Sequence, residues 1–131
     1  MSGERNLDTL RLEMAPQMHS ETFVYCNFPD FEMPPGMSPI CTFREAEGLS
    51  VIVEKGQAQH RAVEYVFEAR LITLTVHSSL EAVGFLAALA GSLAQASIPC
   101  NAVAGYHHDH LFVPTARAGE ALALLSAMAS P

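Results

Sequence analysis

The residues of this chain that could carry out chemistry are concentrated in one short stretch near its carboxyl end. The sequence AGYHHDHLFVP, residues 104–114, places His107, His108, Asp109 and His110 at four consecutive positions. Imidazole and carboxylate groups are common zinc ligands and common general acids and bases, so a metal centre or a catalytic centre has to be considered. A third interpretation is a hairpin turn whose polar side chains are solvated or hydrogen-bonded.

Strand geometry limits how many of these four side chains can converge. Successive side chains of a strand point to opposite faces, so His108 and His110 would share one face and His107 and Asp109 the other. A catalytic zinc site needs three ligands in tetrahedral geometry, usually from separated segments, and His77 could add one. We therefore favour ordinary turn residues. Metal binding by this turn, and recognition of a ligand or partner by it, are kept as alternatives.

No other catalytic arrangement is visible in the sequence. It contains no GxSxG nucleophile elbow, no P-loop, no GxGxxG fingerprint and no HExxH motif. The cysteines at positions 26, 41 and 100 show no CxxC spacing and lie in or beside apolar segments, which favours buried free thiols. We therefore predict that the protein is not an enzyme, with no catalytic residue, no metal ligand and no cofactor.

The composition bounds the remaining possibilities. The 131 residues are 50% hydrophobic and 16% charged, which is enough apolar surface for a globular fold. Fourteen carboxylates against seven scattered Lys and Arg residues leave a net charge of −7, so nucleic acid is not an expected partner. The apolar run from Leu80 to Ala96 is too short and too interrupted for a bilayer, and the first residues do not resemble a secretory signal. We expect a cytoplasmic protein with no membrane partner.

The elements that position the polar stretch can be read from hydrophobic patterning. Strands are predicted where β-branched and aromatic residues cluster: residues 22–28, a pair within 40–54 that turns at Glu45 to Gly48, the central strand 67–76, and a hairpin at 100–114. Helices are predicted over residues 7–14, 55–65, 78–96 and 116–128. The proline-rich residues 29–39 predict a loop.

The helix after the central strand is predicted to begin at Ser78. The Ser78 hydroxyl can cap the first backbone N–H groups while Glu81 reaches back as a capping box. The predicted buried stripe consists of Val83, Leu86, Ala87, Ala90, Leu93 and Ala94. A second stripe of small residues, Gly84, Ala88 and Gly91, is interpreted as a surface for close packing.

The two predicted hairpins look like copies of one unit. A constant shift of 62 positions lays TFREAEGLSVI, residues 42–52, on AGYHHDHLFVP, residues 104–114, without a gap. The turn of the first copy holds no histidine, which indicates a structural turn. The repeated order predicts an α+β fold of two tandem ferredoxin-like βαββαβ units, residues 1–66 and 67–131, with antiparallel sheets and helices on one face.

Two sequence segments carry a resemblance to a known family. LITLTVHSSLEAVGFLAALAGSLAQASIPCNAVAGYHHDHLFVP, residues 71–114, together with TFREAEGLSVIVE, residues 42–54, resembles the ACT domain superfamily. The chain is most similar to small bacterial proteins made of two tandem ACT-like units, and more distantly to the regulatory part of aspartokinases and to the cytosolic arginine sensors of animals. A proline-rich loop stands where the first ACT helix belongs, so the first unit is degenerate.

The resemblance implies a place for a ligand. ACT domains hold small molecules, commonly amino acids, where the first strand and first helix of one unit meet a neighbouring unit. Carried onto this chain, that loop is His77, Ser78, Ser79, Leu80 and Glu81, with Val83 and Gly84 in the first helical turn. Amide groups at a helix N-terminus favour a carboxylate, and a glycine allows close approach. The opposing wall would come from Thr42, Phe43 and Arg44 of the first unit.

Three functions are compatible with these residues. The first is a non-catalytic regulatory module that binds a small molecule, expected to be an amino acid. The second is a homodimeric interaction module without a ligand. The third is a metal-binding protein that uses the His107–His110 turn.

Overall fold

The helices and strands follow the predicted order. The computed structural model describes residues 2–129. Its elements are α1 (Leu7–Glu13), β1 (Pro16–Phe28), β2 (Cys41–Glu45), β3 (Gly48–Glu54), α2 (Lys55–His60), β4 (Val66–Leu74), α3 (Phe85–Gln95), β5 (Asn101–Ala104), β6 (Asp109–Pro114) and α4 (Ala118–Met128), with a 3-10 turn at Thr115–Arg117. The structure confirms the loop predicted for the proline-rich residues, since no helix or strand lies between β1 and β2.

The strands form a six-stranded antiparallel sheet in the order β2-β3-β1-β4-β6-β5. Phe23 of β1 lies opposite Glu54 of β3, and Cys41 of β2 lies opposite Ile52. Strand β4 is central and alternates little in burial, since Leu71 to Leu74 are all buried, as the near-continuous apolar run predicts. The predicted α+β class with tandem ferredoxin-like units is confirmed.

The chain divides into two compact units, each with its own apolar core. The central unit is Glu21–Ala69, and the terminal unit consists of Met1–Ser20 and Arg70–Pro131. In the central unit, β1, β3 and α2 contribute Val24, Cys26, Phe28, Val51, Val53 and Ala58 to the core, with Met37 from the loop. In the terminal unit, α1, α3 and α4 pack on one face of β4 and β6 through residues such as Leu10, Ile72, Leu89, Val113 and Leu125.

The amino-terminal elements differ from the prediction at one boundary. Helix α1 begins as predicted, since the Asn6 side chain caps it by accepting a hydrogen bond of 3.0 Å from the Thr9 amide. Strand β1 begins at Pro16, six residues earlier than the predicted Thr22. The polar residues at the start of β1 lack the apolar signal that marks the later part, because much of that segment is solvent-exposed.

Helix α3 begins later than predicted, at Phe85, so the Ser78 capping box is wrong. Its N-cap is Gly84, in a left-handed conformation with φ of 90° and without any side-chain cap. The buried face is Phe85, Leu89 and Leu93 rather than the predicted stripe, of which only Leu93 is fully buried. Residues 78–84 form no helical turn, so the chain enters α3 through the left-handed Gly84.

The second strands of the two hairpins, β3 and β6, correspond to each other, but the loops of the two hairpins differ in length. Leu49 and Val51 of β3 contact the central core, as Leu111 and Val113 of β6 contact the terminal core. The first hairpin turns through two residues between Glu45 and Gly48, whereas four residues separate Ala104 from Asp109. The gapless alignment is therefore wrong at the turn, and His107 and His108 lie in the longer loop.

The carboxyl-terminal helix agrees with the prediction. Ala118, Ala121 and Leu125 of α4 are buried, and Leu122 and Met128 pack against the same core. No helix in the described part of the chain is long and apolar enough to cross a membrane.

Candidate ligand-binding site

The loop between β4 and α3, in the terminal unit, contains all seven residues that the family resemblance predicts there. The amino-terminal segment holds this loop from one side. The Glu4 amide donates to the His77 carbonyl at 2.8 Å, and the Ser79 amide donates to the Glu4 carbonyl at 2.8 Å. Glu4 and Ser78 thus form a one-residue parallel bridge.

Gly3 is required by the same contact. Its φ is +99°, and a Cβ atom at this position would lie 2.7 Å from the Ser79 nitrogen and 2.8 Å from the Ser78 carbonyl carbon. A side chain would therefore collide with backbone atoms that cannot move independently. The sequence gives no signal for this role, because it depends on a long-range contact.

Ser78 and Asp109 form a buried polar pair. Both residues are about 95% buried, and the Ser78 Oγ donates to the Asp109 Oδ2 at 2.9 Å. The Ser78 amide also donates to the His107 carbonyl at 3.1 Å. Asp109 is therefore not a solvated turn residue, because it ties the start of β6 to the loop before α3.

The remaining loop residues divide into buried and exposed positions. Ser79 is buried, and its Oγ accepts a hydrogen bond of 3.1 Å from the Glu81 amide. Leu80 is 54% exposed and Val83 is 86% exposed. Val83 and Gly84 precede the helix and do not belong to its first turn, which corrects the predicted placement.

A cavity of about 120 Å³ lies beside this loop. Its walls combine the loop, the first turn of α3 and the second hairpin: Ser79, Leu80, Ala82, Gly84, Phe85, Leu86, Ala87, Ala104 and Asp109. The first intrahelical bond runs from Ala88 to the Gly84 carbonyl, so the amides of Phe85, Leu86 and Ala87 have no partner from the helix ladder. The cavity thus combines a helix N-terminus with a buried carboxylate.

The other polar residues of the second hairpin are engaged in hydrogen bonds. The His108 Nδ1 lies 2.9 Å from the Val76 carbonyl oxygen. The Thr73 hydroxyl lies 2.9 Å from both the His110 Nδ1 and the His19 Nε2, and thus bridges two imidazoles. Burial, followed by the neighbouring His108, lowers the pKa of His110 below its usual value.

Three rings cluster near the tip of this hairpin. The His107 ring centroid lies 5.0 Å from that of His77 and 4.8 Å from that of Tyr106. The His77 Nε2 lies 3.3 Å from the Ser2 hydroxyl. Within residues 2–129, no three His, Cys, Asp or Glu side chains come together in a group that could hold a metal ion.

Thr42, Phe43 and Arg44, the predicted opposing wall, lie on β2 in the central unit. All three are exposed, and the Arg44 guanidinium carbon lies 4.7 Å from the centroid of the Phe31 ring. The part of the site that these residues would form stays a prediction.

Sequence reasoning missed two features of the cavity. The sequence is interpreted with Asp109 as a turn residue or metal ligand, whereas the structure buries it at the start of β6. Leu86 and Ala87 are predicted in the core stripe of α3, whereas the structure places them in its first turn, beside the cavity. The late start brings their amides to the helix N-terminus.

Comparison with known protein families gives two matches of the same kind. Residues 2–70 match one ACT domain model and residues 66–127 match another. A search among curated proteins finds no match.

Solved structures agree with the family matches. A protein of unknown function from Vibrio cholerae, described as a possible transport protein, is 40% identical over 98% of this chain and all of its own, with a TM-score of 0.83. A protein from Agrobacterium tumefaciens is 14% identical over 87% of both chains, with a TM-score of 0.72. The regulatory subunit of aspartate kinase from Thermus flavus is 10% identical over 88% of this chain and 97% of its own, with a TM-score of 0.66.

Proposed function

Because the chain belongs to the ACT domain family, we propose that it is a non-catalytic regulatory module that binds a small free amino acid beside Gly84 and Asp109. ACT domains are typically regulatory ligand-binding modules rather than catalysts, and they often dimerise. The observation that carries the proposal is the 120 Å³ cavity between the uncapped start of α3 and the Asp109 carboxylate.

The first turn of α3 suits the carboxylate of an amino acid. A helix N-terminus carries unpaired amides and a partial positive charge, which stabilise a nearby anion by about 1–2 kcal/mol when partly buried. No side chain caps this helix, so the amides of Phe85, Leu86 and Ala87 are available to a ligand. Gly84 leaves open space beside them, since a Cβ atom there would meet nothing within 4 Å.

Asp109 suits the ammonium group of the same ligand. Its Oδ2 accepts the Ser78 hydroxyl, and the carboxylate retains further capacity as an acceptor. A buried carboxylate next to a helix N-terminus would repel a simple anion, whereas a zwitterion places opposite charges against both groups. The arrangement therefore favours free amino acids over other metabolites with a carboxylate.

The cavity volume limits the side chain of the ligand. A volume of about 120 Å³ is small beside the roughly 300–1,000 Å³ of small-molecule sites in proteins. We therefore expect glycine, alanine and serine to bind more tightly than leucine and phenylalanine. We expect the apolar wall formed by Phe85 and Leu86 to prefer alanine over serine.

Isothermal titration calorimetry with these five amino acids tests the proposal. Alanine at 100 times its dissociation constant should also stabilise the fold by about 2.7 kcal/mol in thermal denaturation. N-acetylalanine and alaninamide each lack one of the two charges and should bind at least about tenfold more weakly. Absence of binding by all five, or equal binding of the blocked derivatives, would refute amino-acid recognition.

The variant Asp109→Asn tests the role of the carboxylate while keeping the shape of the side chain. Loss of a charge-assisted hydrogen bond should weaken alanine binding about 10- to 100-fold. The matched control is Glu13→Gln, which removes an exposed carboxylate from the same unit but does not line the cavity. Circular dichroism verifies that both variants are folded.

We extend the proposal to a homodimer, because ACT domains often dimerise, and to a cytoplasmic location. Light scattering coupled to size exclusion tests the dimer at micromolar concentration. A monomeric mass in the presence and absence of alanine would refute that part alone and leave the binding proposal standing.

A further inference from the structure

A second and larger cavity, of about 790 Å³, lies in the central unit. Residues 63–65, between α2 and β4, and Val66 at the start of β4 form one wall, and Tyr25, Asn27 and Ser50 of β1 and β3 form another. The volume is within the range of small-molecule sites in proteins, about 300–1,000 Å³. This cavity shares no residue with the cavity beside Asp109.

Two of the nine residues that line the cavity are aromatic, and one of their rings is fixed in place. Tyr25 and Tyr65 both line it. The Tyr25 ring packs edge-on against Phe67, with centroids 5.6 Å apart and an interplanar angle of 63°. Such contacts hold an aromatic side chain in one orientation, so the Tyr25 ring is a preorganised surface.

The wall segment is bracketed by two unusual backbone conformations. Ala62 has φ of +54° and Phe67 has φ of +58°, although neither is glycine. Left-handed conformations of such residues persist only where the surrounding structure enforces them, and they cluster at ligand sites. Between them, Val66 is 69% exposed although it is β-branched and apolar. This exposed side chain provides apolar surface that a ligand could bury.

The charge of the lining selects the kind of ligand. Glu64 is the one charged residue among the lining residues, which include no Lys, Arg or His. The Cys26 thiol also lines the cavity, and burial raises its pKa, so it stays neutral at pH 7. Tyrosine rings attract cations through their faces. A carboxylate beside two such rings disfavours anions and favours ammonium groups.

We propose that this cavity is a second binding site, for an organic amine with an apolar body. The ammonium group lies between the Glu64 carboxylate and the tyrosine rings, and the apolar body lies on Val63 and Val66. The proposal does not depend on amino-acid binding at Asp109, because the two cavities lie in different units.

The tyrosine content allows a direct measurement. The chain has no tryptophan and three tyrosines, of which two line the cavity. In the full-length variant Tyr106→Phe, both remaining tyrosines are cavity residues, so tyrosine emission reports on this site. The probes are cyclohexylmethylamine, its neutral analogue cyclohexylmethanol and the anion cyclohexylacetate, none of which emits. We expect a saturable change in emission with the amine, weaker binding of the alcohol and none of the anion.

Variants separate recognition from general charge effects. Glu64→Gln should weaken amine binding about three- to fivefold, the value expected for an exposed charge pair. Glu47→Gln removes an exposed carboxylate from the same unit without touching the cavity and should leave binding unchanged. Val66→Lys places a like charge at an exposed position of the wall and should abolish binding. Equal binding of amine and anion, no saturable change, or equal effects of the two glutamine variants would overturn the proposal.

Discussion

Replacing Gly48 by alanine tests how the first hairpin is held against the end of β1. Gly48 has φ of +146°, and an added Cβ would lie 2.7 Å from the Phe28 carbonyl oxygen and 2.9 Å from the Pro29 Cα. It would also lie 2.5 Å from the Asn27 Oδ1. Two of these three contacts are with backbone atoms, so no rotation of a side chain can relieve them.

The expected cost of Gly48→Ala follows from these two effects. A non-glycine residue in such a backbone region costs about 1–3 kcal/mol, and displacement of the β1 end adds to it. We expect the free energy of unfolding to fall by about 2–4 kcal/mol, a large part of the stability of a domain this size. The corresponding fall in Tm is roughly 10 °C. Because Asn27 and Pro29 line the larger cavity, amine binding should weaken as well.

Urea denaturation followed by circular dichroism measures the effect, with Gly91→Ala as the matched control. Gly91 lies inside α3, and a Cβ atom there would meet nothing within 4 Å. Alanine should therefore stabilise the protein by up to about 1 kcal/mol through helix propensity. If Gly48→Ala changes the free energy of unfolding by less than about 0.5 kcal/mol, the structural reasoning about this turn is wrong.

Two further outcomes follow from the terminal unit. Leu89→Ala should lower the free energy of unfolding by about 2–5 kcal/mol, because Leu89 is fully buried. Leu86 is only half-buried, so Leu86→Ala should cost clearly less. Equal costs would contradict the buried face assigned to α3. The folded pKa of His110 lies below the unfolded value of about 6.5, so the unfolded chain binds protons first as pH falls. The contribution of neutral His110 to stability is therefore complete above pH 6.5 and is lost progressively below it. In a profile of unfolding free energy measured from pH 8 to 5, His110→Gln should reduce the fall in stability below pH 6.5.

Patterning in the sequence predicted most elements because their signals are local. The strand pair in residues 40–54 and the break between its strands follow from β-branched runs and a polar turn with glycine. The start of helix α1 also depends on a local contact, because the Asn6 side chain caps an amide three residues away. The predicted start of α3 is wrong for the opposite reason. Ser78 has the right type and spacing for a cap, but its hydroxyl bonds to Asp109, 31 residues away.

At the candidate site, too, some features follow from the sequence and others only from long-range contacts. The family resemblance placed the ligand loop at residues 77–84, and the structure finds a cavity beside that loop. Two imidazoles of the histidine-rich stretch are hydrogen-bonded, since His108 contacts Val76 and His110 contacts Thr73. Its aspartate could not be assigned from sequence, because burial of a carboxylate depends on what surrounds it.

The sequence by itself determined the class of fold, the order of the elements and the family, since these depend on periodic apolar residues and on motifs within short windows. Tertiary structure decided where α3 begins, which carboxylate is buried, and that residues 63–66 line a second cavity. Each of these depends on contacts between residues distant in the chain, such as Gly3 with Ser79 and Gly48 with Phe28. The free energy of such contacts arises only when the chain is folded, so no local pattern encodes them.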